Sequence, residues 1–247
     1  MVEESIITAA PETEVIPAYK NSNLPVEQRV SDLLKRMTVE EKLAQMICIW
    51  GEKKTILFDG DGNLKLDKLQ NYLKFGIGQI ARLSDTGKGF TAKKMAETAN
   101  TLQKYFVQET RLGIPLIFHE ECLHGIAARE ATSYPQPIGL ASTFNTDLIQ
   151  TIYSTIAEDM RSRGAHQALT PVVDVARDPR WGRVEETFGE DPYLVAQMGI
   201  ASVKGFQGDK EFANGKNVIA TLKHFAAHGQ PESGTNCAPV NVSERLL

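Results

Sequence analysis

"IPLIFHEECLHG", residues 114–125, runs from an unbroken apolar segment into His119, Glu120, Glu121 and His124. A run that is apolar at odd and even positions alike reads as a strand covered on both faces, the environment of a parallel sheet. The charged side chains follow at its carboxyl end. In α/β folds that is the edge where ligands are held. The fold then depends on whether the neighbouring segments repeat the pattern.

They do. Residues 76–82 ("GIGQIAR"), 166–175 ("HQALTPVVDV") and 218–225 ("VIATLKHF") are further short strands. Each ends on polar groups: Arg82, Asp174 to Arg177, and the pair Lys223 and His224. Helix-length segments at 91–110, 146–164 and 191–208 alternate with them. The first places Met95, Ala99, Leu102 and Phe106 on one face. Thr146 is the expected N-cap of the second, and Gly164 its stop. Upstream, Val26, Val30, Leu33, Leu34 and Met37 keep helical spacing behind Pro25. Thr38 and Glu41 then have capping-box spacing, so two helices should meet near Met37. Residues 44–49 and 139–143 are the weakest strand candidates.

Alternating strands and helices predict a TIM-type (β/α)8 barrel, incomplete, with about six of eight strands. No GxGxxG opens a helix and no GxxxxGK[ST] occurs, which disfavours phosphate-cradling α/β folds. The expected domain spans residues 24–247, behind a polar, poorly ordered leader at 1–23. Over 247 residues the net charge is only −4. There is no basic stripe to attract nucleic acid and no apolar run of membrane-spanning length. The first residues lack a basic and an apolar signal region, so the expected location is cytoplasmic. Cys48, Cys122 and Cys237 are odd in number and without CxxC, which favours buried free thiols over disulfides. His119 and His124 lack HExxH order, and neither a metal nor a cofactor is expected.

Three constellations carry chemistry. Glu120 and Glu121 are adjacent carboxylates; alone they fit a helix N-terminus as well as a site. "RDPRWGRVEETFGEDP", residues 177–192, crowds charges around Trp181 between helix- and strand-breaking Pro and Gly. It is either a salt-bridged loop whose indole plugs the core, or a polyol site with an aromatic face and charged ligands for hydroxyls. Lys223 and His224 would point to opposite faces of a regular strand, so both reach one site only if the backbone kinks. A lone Lys223 at a strand end also fits a Schiff-base lyase, an alternative that leaves the residue 177–192 loop without a role.

Together and in this order, "EECLHG", "PQPIGLASTFN", "DVARDPRWGRVEETFGEDPYL" and "KHFAAHG" resemble glycoside hydrolase family 3, the β-glucosidase and β-xylosidase group. "RVSDLLKRMTVEEKLAQM" is similar to that family's opening. The resemblance implies retaining, exo-acting hydrolysis of terminal β-linked glucose or xylose. It implies that Glu121, Arg183, Lys223 and His224 bind the glycone, with the charges around Arg183 holding it in place by ion pairs. The retaining mechanism needs two carboxyl groups about 5 Å apart. In the family the nucleophile is an Asp on a later strand and the acid comes from a second domain; neither is expected before Leu247. Glu185, Glu186, Glu190 and Asp191 do not match the nucleophile position and read as structural. "QPESGTNCAPV" lacks the His of the bacterial hexosaminidase branch, and Glu121, where many relatives have Asp, leans towards β-xylosidase or related β-glucosidase members. The implied partners are a small carbohydrate and the C-terminal portion of the same enzyme. The alternative is a non-catalytic sugar-binding half of a split enzyme.

Overall fold

The computed structural model describes residues 16–208 and 215–246. The chain divides into two compact units, one ending at Leu43 and one beginning at Ala44. Of the expected leader, residues 1–15 lie outside the described residues. The rest of it is fastened to the first helix, α1 (Val26–Arg36). The Tyr19 amide donates to Asp32 at 3.0 Å, and the Tyr19 carbonyl accepts from Arg29 at 3.1 Å. Helix α2 (Val39–Gln45) opens on a reciprocal box. The Thr38 amide donates to Glu41 at 2.9 Å and the Glu41 amide to the Thr38 hydroxyl at 3.2 Å. Caps of this kind stabilise a helix by about 1 kcal/mol.

The larger unit alternates strands and helices. In chain order they are β1 (Cys48–Ile49), α3 (Lys53–Ile56), α4 (Leu66–Tyr72), β2 (Gln79–Ala81) and α5 (Ala92–Glu109). There follow β3 (Ile117–Glu120), α6 (Pro137–Ala141), α7 (Thr146–Ser162), β4 (Gln167–Ala168), α8 (Pro192–Gln207) and β5 (Ile219–Ala220). All pairings are parallel, in the order β1-β2-β3-β4-β5. Strands that neighbour in sequential order form the wall of a barrel, whereas a doubly wound sheet reverses direction at a switch point. Among the described residues these five strands are one fewer than expected. Residues 139–143 belong to the end of α6 and its following turn, because Pro137 occupies the first helical turn and the Ser142 amide closes back on the Ile138 carbonyl. Residues 44–49 divide between the end of α2 and β1.

The ladders are shorter than the apolar runs, for a local reason. After β4 stands Pro171, joined to Thr170 by a cis bond and lacking an amide hydrogen. The chain returns to the ladder beyond it. The Lys223 amide donates to the Pro171 carbonyl at 3.2 Å and the Val173 amide to the Lys223 carbonyl at 2.8 Å. That resumed pairing carries Asp174 and Lys223 to the carboxyl edge side by side.

The two sheet faces differ. Ile49, Ile80 and Phe118 are buried in a core shared with Met95, Leu102 and Phe106 of α5 and Tyr153 of α7. The opposite face carries a polar ladder. His119 Nδ1 lies 2.9 Å from Gln79, whose amide donates to Gln167 at 3.3 Å; Gln167 donates to Thr221 at 2.8 Å. The N-cap of α7 is Asn145, one residue before the expected Thr146, because the Asn145 carboxamide accepts the Leu148 amide at 3.0 Å. The expectation of buried thiols holds only for Cys122, whose burial pushes it up to about 12; Cys48 and Cys237 are exposed.

Candidate functional site

The strand β3 separates its two terminal carboxylates. Glu120 turns to the covered side, where it is 1% exposed and accepts the Ser84 amide at 3.0 Å and the Ser84 hydroxyl at 2.6 Å. Burial pushes its carboxyl up to about 7 even against those bonds. Its role is to fix the turn after β2. Glu121 lies on the other side and accepts both contacts of the Lys223 ammonium, at 2.9 and 3.2 Å. The "HG" that follows has a steric reason. Gly125 has φ +110°, and a Cβ there would stand 2.1 Å from the Thr132 carbonyl oxygen. The His124 ring faces the Tyr134 carbonyl at 3.0 Å, tying this loop shut.

Lys223 and His224 do face one region: the Lys223 ammonium meets Glu121, and the His224 ring faces Arg183. The Lys223–His224 peptide bond is cis. His224 Nδ1 contacts Asp174 at 2.7 Å, and the His224 amide donates to both Asp174 oxygens at 3.3 Å. The Asp174 side chain is 2% exposed.

Arg183 comes from the loop between β4 and α8. Its guanidinium makes a two-point pair with Glu186, at 2.8 and 2.6 Å. Nη1 faces His228 at 3.0 Å, and Nη2, which also holds Glu186, faces His224 at 3.4 Å. The Glu186 carboxylate holds the guanidinium more firmly protonated, with Asp174 and Glu121 adding to the effect. Burial works against the charge of Glu186, yet Arg183 leaves its carboxyl below the ordinary range. Burial, then the neighbouring His224 and Arg183, push His228 down and favour its neutral ring. Arg180, three residues earlier, instead pairs locally with Asp178 and its side chain is 68% exposed.

Glu121, Lys223, His224 and Arg183 therefore form one linked cluster. Trp181 does not offer it an aromatic face. The indole is 2% exposed, donates to Asn236 at 3.1 Å, and meets the His228 ring edge-on. Of the two readings of that loop, the indole follows the core plug, while Arg183 beside it faces the cluster. The sequence reading did not single out Asp174 or His228, and took Glu186 as structural without naming its partner. "KHFAAHG" carried a signal for His228, since it repeats a histidine four residues after His224.

Residues 38–247 match the glycosyl hydrolase family 3 N terminal domain, and the chain belongs to that family. It is 39% identical over 231 residues to a putative beta-xylosidase of Formosa agariphila, covering 93% of this chain and 30% of the relative. Among solved structures, a β-glucosidase from Erythrobacter marinus superposes with a TM-score of 0.80 at 30% identity, over 93% of this chain and 30% of that one. A beta-glucosidase from Listeria innocua in complex with glucose does so with a TM-score of 0.72 at 31% identity, over 89% of this chain and 29% of that one. The chain thus spans about 30% of the length of the curated relative it matches here.

Proposed function

We propose that this chain forms the glycone-binding wall of a retaining, exo-acting β-glycosidase that removes terminal β-linked glucose or xylose. The observation that carries the reading is the pairing of charges inside the cluster. Glu121 is matched by Lys223 and Glu186 by Arg183, while Asp174 is covered by His224. A site whose cations are each paired with a carboxylate has no spare positive charge with which to select an anion. It offers fixed donors and acceptors to a neutral polyol, whose hydroxyls both give and accept hydrogen bonds. The solved relative that holds glucose supports the same class of ligand.

No carboxylate of the cluster is free to be a nucleophile, since each is committed to a cation or an imidazole. The nucleophile and the acid belong to polypeptide outside these residues, and this chain alone should turn over aryl β-glucosides and β-xylosides negligibly. The split-enzyme alternative makes the same prediction for the isolated chain and differs in requiring a separately made partner. The Schiff-base alternative loses ground, because both polar contacts of Lys223 are with Glu121 and its nitrogen is not disposed to attack a carbonyl. Calorimetric titration with D-glucose, D-xylose and glucose 6-phosphate tests the reading. Saturable binding of a neutral sugar with no gain from the phosphate is expected; tighter binding of the phosphate, or robust turnover of an aryl glycoside, would overturn it.

A further inference from the structure

We propose that Asp174 is a positioning residue that fixes the ring tautomer of His224 and thereby the polarity of the Arg183 side of the sugar site, an inference that rests on the proposed function. Arg183 carries donors only, so the His224 nitrogen that faces it, Nε2 at 3.4 Å, is the one without a hydrogen. The hydrogen then sits on Nδ1, the nitrogen 2.7 Å from Asp174. A carboxylate accepts and never donates when ionised, so Asp174 enforces that choice. Its grip is built rather than incidental. The same carboxylate takes the His224 backbone amide, and it is nearly closed to water. His228 is set in the same sense, presenting Nε2 to Arg183 at 3.0 Å.

Two rings thus accept from one guanidinium that Glu186 grips at two further donors. Arg183 is fixed in plane, and a sugar meets a prearranged surface rather than a mobile side chain. Without Asp174 the Nδ1 hydrogen loses its acceptor, and only the 3.4 Å contact with Arg183 is left to oppose the Nε2–H tautomer. That tautomer would set a donor against the donors of Arg183 and let the arginine swing away.

The test is ring-nitrogen spectroscopy on the 15N-labelled full chain, with D-xylose and D-glucose as sugar probes. The parent should show His224 with Nδ1 protonated and Nε2 bare. Asp174→Glu, which keeps an ionised, acceptor-only carboxylate, should retain that tautomer and most of the sugar affinity. Asp174→Ala should shift His224 towards Nε2–H and weaken sugar binding about tenfold or more. Adding Asp174→Ala to His224→Ala should then cost little further. A parent already in the Nε2–H form, equal tautomers in the Glu and Ala variants, or additive losses in the double variant would each overturn the proposal. The parent spectrum needs no variant to fold. If neither sugar binds the parent, the sugar-site reading fails while the tautomer still decides the role of Asp174.

Discussion

Two arginines three residues apart show how partners, not residue type, assign work. Arg180 spends its guanidinium on Asp178, which it holds at about 2, in a pair open to water. Exposed pairs of this kind contribute little. Arg183 is half-buried, is anchored by Glu186, and looks onto His224 and His228. Arg183→Ala is expected to weaken sugar binding by about ten- to a hundredfold, with Arg180→Ala near the parent. Equal effects in a titration would count against the assignment. Glu120 supplies a second test, on stability. Its folded carboxyl sits at about 7 against an ordinary 4.5. Between those values the folded state holds the proton that the unfolded state has released, so stability from this group falls as pH rises through the window, by up to about 3 kcal/mol. His166, which burial pushes down to about 4, works in the opposite sense below its ordinary 6.5. The measurement is therefore a difference. Denaturant melts of Glu120→Gln and the parent should converge at low pH, with the variant gaining on the parent from pH 5 to 8; parallel curves would contradict this.

At the level of elements, packing decides what propensity leaves open. Helices α7 and α8 approach closely where Tyr153 meets Phe206, with ring centres 5.0 Å apart. Gly205 makes that approach possible: a Cβ there would lie 2.6 Å from the Gln150 carbonyl oxygen and 2.8 Å from Tyr153 Cβ. Alanine in a helix is favoured over glycine by about 1 kcal/mol, but overpacking against backbone costs about 1–3 kcal/mol. Gly205→Ala should lower the melting temperature, and a rise would show that the helices part without cost. The inward face of α5 was legible because Met95, Ala99, Leu102 and Phe106 repeat at one spacing, and all four are buried. Strand limits were not legible. The runs at 166–175 and 218–225 read as continuous, yet the missing amide of Pro171 interrupts the ladder between them. Helical spacing also does not say what covers a face. On α1, Val26, Val30 and Leu34 keep the period but stay exposed, and among the described residues Met37 is the buried member of the set.

Across the whole molecule, sequential strand order brings side chains from distant positions to one rim. Glu121 follows β3, Asp174 and Arg183 follow β4, and Lys223 and His224 follow β5. This convergence was legible because each strand ended on polar residues and the motifs occurred together. The inner partners were less so. Asp174 looked like one more charge beside a loop of charges, and only the resumed pairing beyond Pro171 sets it against His224. Trp181 could be read as a core plug or as a sugar platform, and its burial against Asn236 and His228 fits the plug. We propose that these rims clasp one pyranose. This is tested most directly by a crystal structure of the chain with D-xylose or D-glucose. A single sugar ring is expected in hydrogen-bond contact with Glu121, Lys223, His224 and Arg183 together. A sugar bound elsewhere, or touching these residues only in separate places, would contradict it.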